Sequence, residues 1–163
     1  MPHHFLLNIY QEASYTIYPP QFPGLSHPPP PVFIRVGKKI DFSSRFPEKQ
    51  GKAHLISACN PFSIPLSSEE NRVRQNFLAN QLSTAGLTFW PAIGHDPANF
   101  WVEPSWLVWN AKDQQIENWI WAWQQFGWLE IDSVGMVHLR QLPQTRSKNL
   151  PKSRSNSESF RPA

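Results

Sequence analysis

Cysteine is almost absent from this chain of 163 residues, since Cys59 is the only one and no disulfide can form within the chain. Such cysteine usage is typical of a reducing compartment. No apolar run approaches the roughly 20 residues that a membrane-spanning helix needs. The first residues lack the basic and apolar regions of a signal peptide. We therefore expect a cytoplasmic protein with no membrane partner.

Net positive charge is absent before residue 143. Residues 143–163 hold five Lys or Arg and one Glu, a balance of +4, whereas the whole chain carries +3. Residues 1–142 are therefore close to neutral and lack the basic stripe of a dedicated duplex-DNA binder. We expect residues 1–142 to form a single domain. We expect residues 143–163 to form a disordered basic tail, which at best adds a weak, salt-sensitive attraction to nucleic acid.

Glycine is also scarce, and its seven positions are scattered, so the chain has no glycine-rich phosphate-binding loop. The sequence has no Gly-x-Ser-x-Gly elbow, no His-x-x-x-His spacing and no pair of cysteines. We therefore predict no metal site and no cofactor. Cys59 lies in a short apolar run, where a cysteine more often serves as a small buried hydrophobe than as a nucleophile.

Tryptophan, by contrast, is abundant: seven of the eight tryptophans lie between Trp90 and Trp123. Each buried aromatic ring removes roughly 150–250 Å² from water, so these rings support a stable core in a short chain. Trp119 and Trp123 have the spacing of a buried helix face. Trp101 lies near a strand end, where it is suited either to the core or to the wall of a pocket.

Hydrophobic patterning predicts two helices and seven strands. The strands are expected at 9–18, 32–36, 54–59, 87–90, 105–109, 129–132 and 136–139. One helix follows the N-cap Ser67, and the other follows Asp113. The proline-rich segment 19–31 is predicted to be a polyproline-II loop, because its seven prolines cannot pair inside a sheet.

The first helix has the clearest local signals. Ser67 and Glu70 match a capping box, and Gly86 is a natural stop. Its apolar stripe is predicted to contain Val73, Phe77, Leu78, Leu82 and Ala85.

From Leu55 onward the order of elements is strand, helix, strand, strand, helix, strand, strand. This order predicts an α+β fold, a mostly antiparallel sheet with both helices on one face, as in a split βαβ or ferredoxin-like sandwich. The two N-terminal strands are expected to extend that sheet.

Five short motifs occur in the order of a known family: Tyr10-x-x-Ala13-x-Tyr15, Asn60-Pro61-Phe62-Ser63, Ser67-x-Glu69-Glu70-Asn71-Arg72, Gly94-x-Asp96-Pro97 and Trp101-x-Glu103-Pro104-Ser105. Together they resemble DUF3293, a small and mainly bacterial family of unknown function. The resemblance covers roughly residues 10–139. It implies one cytoplasmic α+β domain with no established reaction or cofactor. The chain departs from the family at His95, where an arginine is common.

Polar side chains gather in two stretches, 60–74 and 94–105, which follow or precede predicted strands. If the strands that end at Cys59 and begin at Ser105 are neighbours, the two stretches form one polar pocket. Its predicted ligand-binding residues are Asn60, Ser63, Asn71, Arg74, Asp96, Trp101 and Glu103. Glu103 and His95 are the candidates for a general acid or base.

A purely structural interpretation explains the same residues. Asn60-Pro61 and Asp96-Pro97 are common turn starters, and an ion pair between Glu103 and Arg74 would tie the two stretches together. We therefore keep three functional hypotheses. The first is a binding module for a small polar ligand or a protein partner. The second is a small enzyme acting on a nucleotide-like or other polar metabolite, and the third is weak nucleic-acid binding through the tail.

Overall fold

A seven-stranded antiparallel sheet organises the computed structural model, which describes residues 3–47, 49, 51–98 and 101–142. The strands are β1 Ser14–Ile17, β2 Val32–Ile34, β3 Ala53–Ile56, β4 Phe89–His95, β5 Val102–Trp109, β6 Trp128–Ile131 and β7 Val137–Arg140. Their order across the sheet is β2-β1-β4-β5-β3-β6-β7. The predicted α+β class, with a mostly antiparallel sheet extended by the N-terminal strands, is confirmed.

Four helices accompany the sheet in the described residues: α1 His3–Glu12, α2 Phe42–Arg45, α3 Ser68–Thr84 and α4 Asp113–Ala122. A short 3-10 helix spans Pro61–Ser63. None of the described helices is both long enough and apolar enough to cross a membrane. The predicted basic tail, residues 143–163, lies outside the described residues.

One face of the sheet carries the two long helices. Leu78 and Leu82 of α3 share a core with Ile116 and Ile120 of α4 and with sheet residues that include Val108. Helix α3 connects β3 to β4, and β5 lies between these two strands in the sheet. Helix α4 connects β5 to β6, and β3 lies between them. The finer assignment to a ferredoxin-like sandwich stays a prediction, because three further strands extend the sheet.

The opposite face of the curled sheet holds a second core, and we call it the aromatic face. Aromatic rings dominate it: the ring centroids of Trp90 and Trp109 are 5.3 Å apart, and Phe46 packs edge-on against Trp90 at 4.9 Å. The proline-rich segment 19–31 contains no strand or helix and adds Phe22 to this core. Strand β3 is therefore buried on both faces, whereas Phe33 of β2 and Val102 of β5 remain exposed.

The strand predicted at residues 9–18 is wrong in its first half. Residues up to Glu12 form α1, and the strand begins at Ser14. The β-forming residue Tyr10 is helical because its ring packs on Phe126 and Trp101, and such tertiary contacts override a weak intrinsic preference.

The capping box of α3 is confirmed, as is the stop at Gly86, which has φ +69°. The predicted apolar stripe is partly wrong, because Val73 and Phe77 are 41% and 60% exposed. Gln75 is buried instead, and its Oε1 accepts a hydrogen bond from the Ala58 backbone N–H at 2.9 Å. A polar side chain thus takes an inward position because it satisfies the chain just after β3.

The second polar stretch is mostly a β-hairpin and not a loop. Strands β4 and β5 pair over seven positions, from Phe89 opposite Val108 to His95 opposite Val102. Both strands are longer than predicted. Proline ordinarily signals the end of a strand, but Pro91 and Pro104 lie inside β4 and β5. The N-cap of α4 is Lys112, so that Asp113 is the first residue of the helix and not its cap.

Candidate functional site

Glu103 lies on the aromatic face of the sheet, in the wall of a cavity of about 200 Å³. It is the second residue of β5 and pairs with Gly94, so its side chain points to the same face as Ser105 and Leu107. Only 5% of Glu103 is exposed. We call this cavity the Glu103 pocket; it is lined by Ile9, Tyr10, Asn60, Ser63, Pro65, Asp96, Trp101 and Glu103.

A strained loop forms one wall of the pocket. Asn60, Phe62 and Ser63 have positive φ angles of 47°, 55° and 58°, a left-handed backbone that residues other than glycine rarely adopt. Such a conformation persists only where the surroundings impose it, and it is frequent at functional sites.

The side chain of Asn60 holds this loop against Glu103. Its Oδ1 accepts hydrogen bonds from the Leu66 backbone N–H at 3.0 Å and from Asn71 Nδ2 at 2.8 Å. Its Nδ2 donates to Glu103 Oε2 at 3.1 Å. Asn71 in turn accepts from the Asn60 backbone N–H at 2.9 Å. This network fixes the orientation of the Asn60 amide and directs its donor at the buried carboxyl.

Helix α1 closes the pocket from the other side. The Tyr10 ring stacks on Phe126 at 5.6 Å and meets Trp101 edge-on at 6.0 Å. A Cβ at Gly94 would lie 2.9 Å from the Tyr15 ring and 3.2 Å from Trp101. The glycine therefore provides the space in which these two rings pack against the sheet.

Burial raises the pKa of Glu103 to about 7, although hydrogen bonds from Asn60, Ser57 and Trp101 act in the opposite direction. Burial, together with the nearby Glu103 charge, also raises the pKa of Tyr10 to about 12. Burial, together with the nearby Tyr10 and Glu103 groups, also raises the pKa of Tyr15. Near neutral pH both tyrosines therefore keep their protons, whereas Glu103 exchanges its proton with small changes of pH.

The structure brings together five of the predicted ligand-binding residues: Asn60, Ser63, Asp96, Trp101 and Glu103 line one pocket. Asn71 lies behind Asn60 and positions it. Asp96 shapes the hairpin turn, since its Oδ1 accepts from the Trp101 backbone N–H at 3.0 Å. The Oγ atom of Ser63 is buried beside Tyr10 without a well-formed hydrogen bond.

Arg74 and His95 are not brought to the pocket. The Arg74 guanidinium donates to the backbone carbonyls of Ala58 and Trp123 and lies 5.0 Å from the centre of the Trp123 ring. The predicted ion pair between Arg74 and Glu103 is therefore absent from the part of the chain that the structure describes. His95 follows Gly94 in β4, so its side chain points to the sheet face opposite Glu103.

Cys59 is buried next to the site, but its thiol is poorly suited to nucleophilic attack. Burial raises the pKa of Cys59 to about 11, so the reactive thiolate is rare at neutral pH. The sulfur packs 3.7 Å from the Pro104 carbonyl oxygen. The thiol therefore fills space between β5 and α3.

Sequence reasoning missed the contribution of the N-terminal elements. Tyr10 and Tyr15 are five residues apart, yet both lie near Glu103 because the chain turns from α1 into β1 between them. They also line a second cavity of about 20 Å³, the size of one water, together with Ser57 and Gln125. The Tyr10-x-x-Ala13-x-Tyr15 motif is the sequence signal for these residues. The predicted continuous strand, however, would direct the two rings to opposite faces of the sheet.

One group of metal-ligand side chains occurs in the described part of the chain, away from the Glu103 pocket. Ligand atoms of His54, Asp113 and Glu130 lie within 4.8 Å of one another. Lys52 Nζ lies 3.0 Å from Asp113 Oδ2 and 3.4 Å from Glu130 Oε2. Arg140 Nη2 contacts Glu130 Oε1 at 2.8 Å. These two cations balance the two carboxylates, so the cluster is explained as an ion-pair network.

The pocket-forming stretches fall in the part of the chain that comparison with known proteins identifies. Residues 56–126 match a family model described as "Protein of unknown function (DUF3293)". Neither the comparison with curated proteins nor the comparison with solved structures gives a match. The matched range contains Asn60, Asn71 and Glu103, whereas α1 and β1 precede it.

Proposed function

We propose that this chain, whose residues 56–126 match the model of a family of unknown function, DUF3293, is a binding protein for a small ligand held in the Glu103 pocket. One observation carries the proposal. A nearly fully buried carboxyl lies in the wall of a cavity, beside a loop with three left-handed residues that presents an amide to it. Costly features that converge on one cavity support a role in ligand binding.

The free-energy cost of burying the Glu103 carboxyl also supports a ligand site. Its pKa is raised from 4.5 to about 7, which corresponds to a penalty of roughly 3 kcal/mol for folding with the carboxylate charged. A leucine or glutamine in that position would avoid the penalty. Proteins keep such groups where function requires them, and substitutions that increase stability there often reduce activity.

The dimensions of the pocket favour a small molecule over a protein segment. Its volume of about 200 Å³ is below the roughly 300–1,000 Å³ of pockets that bind drug-sized ligands. Its walls come from α1, the loop after β3 and the β4–β5 hairpin, so a ligand is surrounded from several sides. A metabolite the size of a fragment fits this space.

A fragment screen by ligand-observed NMR tests the proposal. We expect fragments that bind the unmodified chain and that no longer bind the Glu103→Gln and Trp101→Ala variants. Glu69→Gln is a matched control because it removes the same charge from an exposed position on α3. Binders that respond equally to Glu103→Gln and Glu69→Gln, or a complete lack of binders, would contradict a ligand site in this pocket.

A second candidate function is general acid–base catalysis by Glu103. The observation that favours it is the pKa of about 7, since a proton donor or acceptor is most effective near the operating pH. His95 points to the other face of the sheet, which leaves Glu103 as the candidate for this role. If a pocket ligand is consumed over time, its rate of consumption should change across pH 7 and should vanish in Glu103→Gln.

We further propose a ferredoxin-like unit within residues 53–131, supported by the strand order β4-β5-β3-β6 and by two helices on one face. One sheet runs through the described residues, which supports a single domain over residues 1–142. The buried, unpaired Cys59 thiol supports a reducing, cytoplasmic location.

A further inference from the structure

We infer that the ligand of the Glu103 pocket is a small organic cation, such as an amine or an amidinium, whose charge is the counter-ion of Glu103. This inference rests on the proposed function, because it names the chemical class that the pocket selects. It goes further in excluding anions, including the phosphate and carboxylate groups of common metabolites.

A comparison of two buried glutamates carries the inference. Glu130 is 7% exposed and Glu103 is 5% exposed, so both have lost nearly all contact with water. Glu130 has two cations of the chain beside it, Lys52 at 3.4 Å and Arg140 at 2.8 Å. Among the described residues, Glu103 has no cationic side chain within ion-pair distance, and its carboxyl accepts a hydrogen bond from the neutral amide of Asn60. The fold supplies a counter-ion for one buried carboxyl and leaves the other facing a cavity.

The other charges around the pocket also favour a positively charged ligand. Asp96 adds a second carboxyl to the lining, and no Lys, Arg or His of the described residues lines the cavity. Arg74, the cation among the predicted ligand-binding residues, donates to the backbone carbonyls of Ala58 and Trp123 instead. An anion would therefore enter a pocket of its own charge with no partner, and burying an unpaired charge is strongly unfavourable.

The aromatic lining is also suited to a cation. Tyr10 and Trp101 both contribute to the wall of the pocket. The face of an indole or phenol ring attracts ammonium and guanidinium groups through its quadrupole, and tryptophan does so most strongly. A carboxylate with two aromatic rings beside it combines a charge partner with an apolar surface for the rest of the ligand. This combination discriminates an amine from an alcohol of the same shape.

Three probes of nearly equal shape test the charge of the ligand: benzamidinium, benzamide and benzoate, which are positive, neutral and negative at pH 8. Their dissociation constants are measured by calorimetry on the full chain, with ¹H–¹⁵N NMR to locate them beside Trp101. We expect benzamidinium to bind at least tenfold more tightly than benzamide, and benzoate to give no detectable binding. Butylammonium, butanol and butyrate repeat the comparison with a flexible chain.

The same series applied to variants assigns the preference to Glu103. In Glu103→Gln we expect the ratio between benzamidinium and benzamide to fall below threefold, whereas Glu69→Gln should leave it unchanged. Asp96→Asn keeps an oxygen acceptor for the Trp101 backbone N–H and removes the second charge, so it should lower the ratio by a smaller factor. Asp96→Asn also provides a second test if Glu103→Gln fails to fold.

The outcomes separate this inference from the proposal on which it rests. Benzamide or benzoate binding beside Trp101 as tightly as benzamidinium would overturn the cationic ligand and leave a ligand pocket in place. A charge preference that survives unchanged in Glu103→Gln would place the cation elsewhere and overturn the role of Glu103. If neither series yields a binder of any charge at this cavity, both the inference and the proposed ligand site fail.

Discussion

Glu103 makes the stability of the folded chain depend on pH in a defined window. Its pKa is about 7 in the folded chain and near the ordinary value of 4.5 in the unfolded chain. Between these values the folded chain retains a proton that the unfolded chain has lost. The contribution of Glu103 to the free energy of unfolding therefore falls as the pH rises through this window and is constant above it. The shift corresponds to a loss of about 3 kcal/mol.

Glu103→Gln is expected to remove this pH dependence, because glutamine keeps an oxygen acceptor for Asn60 and carries no charge. Free energies of unfolding measured by denaturant should show the variant gaining about 2.5 kcal/mol relative to the unmodified chain between pH 5 and pH 8, since pH 5 already lies above the unfolded pKa of 4.5. His54, whose pKa burial lowers, contributes an opposite slope below its ordinary pKa of 6.5, but this slope is common to both chains and cancels in the difference. Parallel profiles for the two chains would contradict the buried, titrating carboxyl.

Single residues of the site differ in how far the sequence could reveal them. Glu103 follows from its motif, because the residue before a proline is restricted to an extended backbone. Asn60 follows from the Asn-Pro turn signal, although β3 ends at Ile56 and not at Cys59 as predicted. The direction of Arg74 depends on the rotation of α3 about its axis, which the buried Gln75 helps to set. The sequence around Arg74 does not distinguish the observed rotation of α3 from one that would direct Arg74 at Glu103. The ambiguity is therefore a property of packing and not of the motif.

The N-terminus of α3 gives a prediction at the scale of an element. Ser67 Oγ accepts from the Glu70 backbone N–H at 3.2 Å and donates to Glu70 Oε2 at 2.6 Å, and both residues are exposed. Because these bonds serve the helix alone, Ser67→Ala should cost about 1 kcal/mol of stability and leave benzamidinium binding unchanged. Denaturant unfolding and calorimetry on the same variant provide the two readings. A loss of binding without a loss of stability would assign the capping box to the pocket.

The loop of the 3-10 helix provides a second test at this scale. Phe62 has φ 55° and a ring that is 42% exposed, so its backbone is strained while its side chain contributes little to the core. Phe62→Gly and Phe62→Ala remove the same ring, but only glycine adopts this conformation without steric cost. We expect the glycine variant to be about 1 kcal/mol more stable than the alanine variant in denaturant unfolding. Equal stabilities would show that the surroundings do not impose the left-handed backbone.

Elements with strong local signals could be predicted, and those defined by distant contacts could not. Helix α3 begins with a capping box and ends before a glycine, so its bounds follow from the sequence alone. Helix α1 lacks such signals: its first turn has no acidic residue, and its β-forming Tyr10 packs on Phe126, more than 100 residues away in the chain. The lengths of β4 and β5 were underestimated for a related reason, since sheet pairing tolerates Pro91 and Pro104 inside these strands.

At the scale of the whole molecule, the pocket exists because α1 packs beside the β4–β5 hairpin and the loop after β3. The family match over residues 56–126 includes Glu103 and the strained loop, but the closing element lies before it. The unusual pKa of Glu103 therefore depends on parts of the chain that are distant in sequence. Opening the pocket at α1 should restore contact with water and bring the pKa back towards 4.5.

Tyr10→Ala tests this closure, and Tyr10→Phe is its matched control. Alanine removes the ring that stacks on Phe126 and meets Trp101, so water should reach Glu103 and its pKa should fall by more than one unit. Phenylalanine keeps the ring and loses only the hydroxyl, so the pKa should stay near 7. A titration of the Glu103 carboxyl by ¹³C NMR, assigned with Glu103→Gln, measures both values. An unchanged pKa in Tyr10→Ala would show that the sheet and the strained loop bury Glu103 without α1.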